Sequence, residues 1–126
     1  DFNRLFTEEK LSGIFPNNRV DDFFDALYGD SSEGAYDIRL VFAKQTGNHL
    51  LFEFHLTQRP GKCLACNLTY GLPAVFSRHP VIDVKGVVEK IGQALDGQGK
   101  IKEWKLGSTK EISRTLHVIP LTVSLE

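Results

Sequence analysis

The spacing of apolar residues changes from helical to strand-like near residue 35, and this change constrains the fold more than any other feature. Before it, Val20, Phe23, Phe24 and Leu27 recur at i, i+3, i+4 and i+7, with Asp21, Asp22 and Asp25 between them. That pattern predicts an amphipathic helix over 18–28, capped by Asn17 or Asn18 and stopped by Gly29. Thr7-Glu8-Glu9 opens a shorter helix, with Leu11, Ile14 and Phe15 on one face and Pro16 beyond its end. Phe2, Leu5 and Phe6 share helical spacing too. They form an amphipathic turn that suits docking on the domain itself or on a partner.

After the change, apolar residues alternate with polar ones. Ile38, Leu40 and Phe42 form one run, Phe52, Phe54 and Leu56 a second, and Leu64, Cys66, Leu68 and Tyr70 a third. These predict three antiparallel strands joined at Thr46-Gly47-Asn48 and Pro60-Gly61-Lys62. Residues 71–80 read as a long connection with two prolines. Asp83 caps the strongest helix, whose stripe is Val84, Val87, Val88, Ile91 and Leu95. Gly97-Gln98-Gly99 ends it. Alternation resumes at Ile112, Leu116 and Val118, and Pro120 then interrupts it. The phase passes to Leu121, Val123 and Leu125, which predicts a bulge or kink followed by an edge strand.

The element order is αα-βββ-α-ββ(β). Strands and helices do not alternate one by one, so nothing favours a parallel doubly wound sheet. The expected product is an α+β domain spanning residues 1–126, with an antiparallel sheet of about five strands and helices packed on one face. Its core should unite Phe24, Phe54, Leu68, Val88, Ile91 and Trp104.

Register follows from matching apolar phases. Setting Ile38, Leu40 and Phe42 against Leu56, Phe54 and Phe52 places Arg39 opposite His55 and implies an odd-length loop centred on Gly47. Setting the second run against the third places His55 opposite Asn67 and Glu53 opposite Thr69. One row on the polar face then reads Arg39–His55–Asn67, with Glu53 beside it. This row is the candidate contact surface for a ligand or partner. Arg78 and His79, in the long connection, are candidates on the separate ground that long loops are often functional. The row has no nucleophile and no second carboxylate, so hydrolytic and glycosidic chemistry is not expected, and no catalytic residue is assigned.

Cys63-x-x-Cys66 is the one chemically suggestive pair. A zinc set with His55 and His79 lacks the second tightly spaced pair of structural sites. A redox pair would open a helix, whereas this segment reads as strand. Strand alternation sends residues three apart to opposite faces, so the two sulfurs are expected to share neither a metal nor a disulfide. No metal and no cofactor is expected.

Charge completes the functional reading. The 126 residues carry a net charge of −1. That lacks the basic excess of a nucleic-acid binder, and no apolar run is long enough to span a membrane. The first 34 residues nevertheless hold eight acids against three bases, an asymmetry suited to orienting a partner. The sequence is best read as a cytoplasmic, non-catalytic protein-interaction or adaptor module, binding a protein partner or a second copy of itself. The alternatives are a small-ligand-binding protein or enzyme using the face around His55, and a cysteine-based metal or redox protein.

Overall fold

A computed structural model describes residues 2–64 and 69–126. The elements are α1 (Phe2–Leu5), α2 (Glu8–Ile14), α3 (Asn18–Tyr28), β1 (Tyr36–Thr46), β2 (His49–Gln58), α4 (Leu72–Arg78), α5 (Val84–Leu95), β3 (Ile101–Leu106), β4 (Lys110–Glu111) and β5 (Leu116–Leu125). The sheet is antiparallel throughout, in the order β1-β2-β5-β3, with β4 also paired to β5. The helices pack on one face of it, as the sequence predicts for an α+β domain.

Local chemistry explains the helices. The Thr7 hydroxyl accepts from Lys10 N at 3.2 Å and starts α2, while the Asp83 carboxylate accepts from Gly86 N at 3.1 Å and starts α5. Each satisfies an amide that has no partner within its helix. Gly29 ends α3 in the left-handed region at φ 77°, where glycine meets no steric penalty. Val20, Phe23 and Phe24 are buried, but Leu27, expected on the same stripe, is exposed. Phe6 is buried against the rings of Phe42 and Phe52, at 5.4 and 5.0 Å. The amphipathic N-terminal turn therefore docks on its own domain.

The core is one cluster that includes Phe24, Phe54, Val88 and Ile91, with Trp104 packed half-buried against it. Leu68, expected in the same core, lies outside the described residues. Tyr36, Ile38 and Leu40 of β1, the even-numbered residues 50–56 of β2, and Ile119, Leu121 and Val123 of β5 supply the sheet side.

The β1–β2 register holds as expected from Tyr36↔Gln58 through Arg39↔His55 to Phe42↔Phe52. A bulge between Phe42 and Lys44 then shifts it by one residue. The hairpin consequently closes through two residues, Gly47 and Asn48, not the odd-length loop expected. Gly47 takes φ 60°, a value that a glycine-first hairpin turn requires.

Four expectations are corrected. The second neighbour of β2 is β5, with His55 opposite Val118 and Glu53 opposite Pro120. The expected third strand does not extend to Thr69 and Tyr70, which open a 3₁₀ turn, and its centre lies outside the described residues. The long connection contains α4, which tolerates Pro73 because a first-turn N–H needs no helical partner. Finally, β5 is an unbroken central strand, not a kinked edge. Pro120 O accepts from Gly107 N at 2.8 Å. In an antiparallel ladder the N and O of one residue point to the same side. The nitrogen without a hydrogen therefore faces the gap between β3 and β4, where no ladder donor is needed.

Candidate functional site

The helices lie on one side of the sheet, and among the described residues no helix lies over the opposite face. Strand alternation brings onto it Asp37, Arg39 and Val41 from β1, His49, Leu51, Glu53, His55 and Thr57 from β2, and Val118, Pro120, Thr122 and Ser124 from β5. Lys105 and Lys110 lie opposite Thr122 and Val118. The surface interleaves apolar and charged side chains. Val118 is buried, Leu51 and Val41 are half-buried, and Lys105 and Lys110 are exposed.

His55 faces this side, away from Phe54. Its Nε2 lies 2.9 Å from Glu53 Oε1, and both side chains are mostly covered, at 20% and 28% exposure. Residues i and i+2 of a strand share a face, so the pair is a direct product of the alternation. Arg39 is the cross-strand neighbour of His55, but its guanidinium turns over the sheet edge to Glu8 Oε1 at 3.8 Å. Asn67, the expected third member of the row, lies outside the described residues. On that side Val118 is the residue paired with His55.

Arg78 and His79 are not part of this surface. Arg78 Nε donates to Ala74 O at 3.3 Å within its own helix. His79 Nδ1 accepts from Val81 N at 3.2 Å, and its ring meets Phe23 edge-on at 4.9 Å. These contacts close the end of α4 and pin it to α3.

Beside His55 lies a hollow of about 600 Å³ bordered by Asn17, Asn18, Asp21, Asp37, Ile38, Arg39 and Thr57. Its walls are polar apart from Ile38, and it is broad and open. Pockets that bury a small molecule are mostly apolar and concave, so this hollow is a surface groove.

Several polar groups lay outside the sequence-based candidates. Arg59 lies over the Phe24 ring at 5.3 Å and contacts Asp21 at 2.9 Å, Asp37 at 3.1 Å and Ser31 O at 2.9 Å. Its partners come from three separate segments, so no spacing in the chain announces it. The buried His117 Nδ1 lies 2.7 Å from Thr69 Oγ1, and Thr109 Oγ1 donates to Thr69 O at 2.7 Å. At the far end of the uncovered face His49 Nδ1 lies 3.0 Å from Ser124 Oγ. Glu103 is opposite Ser124, on its other side from His49. A catalytic triad needs the carboxylate behind the histidine, and here the serine separates them.

Cys63 is disulfide-bonded, contrary to the expectation of an unpaired thiol. Lys62 and Cys63 are in coil, not strand, so the alternation argument does not apply there. Cys66, the only other cysteine in the sequence, lies outside the described residues. Among the described residues no three His, Cys, Asp or Glu side chains are grouped to hold a metal, and no helix is long and apolar enough to cross a membrane. No protein family, curated protein or solved structure matches the chain.

Proposed function

We propose that this domain is a non-catalytic protein-interaction module whose recognition surface is the uncovered sheet face around Arg39, Glu53 and His55. The supporting observation is the composition of that face: Val41, Leu51 and Pro120, none of them fully buried, are interleaved with Arg39, Glu53, His55, Lys105 and Lys110. A broad, shallow surface of mixed polarity suits a protein partner better than a small molecule. The Glu53–His55 pair orients an imidazole without a neighbouring nucleophile, so it serves recognition in this reading. The disulfide at Cys63 favours an oxidising compartment over the cytoplasm expected from the sequence.

The experiment compares wild type with an Arg39→Ala/His55→Ala double variant in quantitative capture of partners from native extracts. Both side chains lie off the core, so the variant should keep its melting temperature within about 2 °C. Loss of the partners retained by wild type supports the proposal. An unchanged partner set, or loss of folding without loss of partners, contradicts it.

A further inference from the structure

Between α2 and β1 lies a hollow of about 230 Å³. Both elements give it an apolar base and a charged mouth. On α2, Leu11 points inward, and Glu8 stands one turn earlier on the same side of the helix. On β1, alternation turns Leu40 inward and Arg39 outward. Phe6 and Phe42 complete the base, with their rings 5.4 Å apart. Phe6, Leu11 and Leu40 are buried, whereas the Glu8 and Arg39 side chains at the mouth are 92% and 62% exposed.

The groove beside His55 is polar and open, but this hollow is smaller and apolar at its base. Sites for small molecules have that character, with a few polar groups that fix orientation. An engineered cavity of about 150 Å³ takes benzene, so this hollow has room for a branched four-carbon side chain. Its mouth specifies the rest of the ligand. Arg39 Nη1 stands 3.8 Å from Glu8 Oε1, an exposed pair that restrains neither group much. A ligand with only a carboxylate would meet repulsion from Glu8, and one with only an ammonium would meet repulsion from Arg39. A molecule that carries both charges on one carbon satisfies both.

We propose that this hollow binds a free α-amino acid with a branched aliphatic side chain of leucine size. The Arg39 guanidinium donates to the ligand carboxylate, a geometry its planar fork favours. The Glu8 carboxylate accepts from the ligand ammonium. The side chain enters the hollow and leaves water for the surface of Leu11 and Phe42. The end of a peptide carries only one of the two charges, so the free amino acid is preferred. His55 takes no part in this site.

Calorimetric titration of the full chain with L-leucine, joined to NMR shift mapping, tests the proposal. L-leucine should bind with a Kd below about 1 mM and move resonances of Phe6, Leu11 and Phe42. Glycine lacks the side chain, and N-acetyl-leucine and leucinamide each lack one charge. All three should bind about tenfold more weakly or worse. Glu8→Gln should weaken L-leucine but not N-acetyl-leucine, and Arg39→Gln should weaken L-leucine but not leucinamide. Both replaced side chains are exposed, so the variants keep the fold. His55→Ala should bind L-leucine as wild type does, and Glu8→Gln should retain the partners of the uncovered face, which separates this site from that proposal. An unchanged spectrum at about 10 mM L-leucine overturns the proposal. Equal affinity for L-leucine, N-acetyl-leucine and leucinamide, or shifts confined to residues outside the hollow, overturns it as well.

Discussion

Gly34 lies so close to the ring of Phe24 that a Cβ at Gly34 would stand 2.2 Å from Phe24 Cδ2. The Gly34 backbone itself is ordinary, at φ −67° and ψ 135°. The requirement for glycine is therefore one of space, not of conformation. Gly34→Ala should destabilise the fold by about 1–3 kcal/mol through overpacking. Phe24→Leu opens room, so the alanine should cost less in that background. Urea unfolding of the two single variants and the double variant measures the coupling.

Arg59 joins α3, the loop before β1, and β1 itself. Its side chain is 17% exposed and holds Asp21 and Asp37 together. Arg59→Met should cost about 2–3 kcal/mol, because carboxylate and carbonyl partners lose a charged donor. Arg39→Met should stay within about 0.5 kcal/mol, since its contact with Glu8 is solvent-exposed. Equal losses in urea titrations of the two variants would refute this ranking.

Tyr36 supplies a pH prediction. Burial first, and then the neighbouring Tyr28, push its phenol well above the ordinary tyrosine range. A raised value in the folded state means that the unfolded chain releases this proton more readily. The stability tied to Tyr36 is complete below the ordinary tyrosine value near 10 and is lost as pH rises above it. Tyr36→Phe should flatten the fall in stability between about pH 9 and pH 11. The same slope in wild type and variant would contradict the assignment.

Ile91 is fully buried on the inner stripe of α5. Ile91→Ala should cost about 2–5 kcal/mol by loss of contacts and formation of a cavity. A loss below about 1 kcal/mol in thermal or urea unfolding would place α5 outside the cooperative core.

Much of this fold was legible in the chain because its patterns are local. Helix α3 occupies 18–28, and the Arg39–His55 pairing follows from alternation alone. What was missed depends on partners distant in sequence. His117 occupies a core position on β5 through its contact with Thr69, and a polar residue in that phase concealed the true register and suggested a kink at Pro120. The central place of β5 beside β2 is likewise a long-range pairing, which no local period encodes. Within the candidate site, the shared face of Glu53 and His55 was readable, but the turn of Arg39 toward Glu8 and the role of Arg59 were not. Both depend on where helices cross the sheet edge.

The use of the uncovered face is tested most directly by site-specific photo-crosslinking in the native setting. One probe replaces Thr57, exposed on that face, and another replaces Lys90, exposed on α5. The account predicts a discrete partner adduct from position 57, lost on adding Arg39→Ala/His55→Ala, and no such adduct from position 90. A partner captured from position 90 and not from position 57, or an adduct at 57 indifferent to Arg39 and His55, would contradict it.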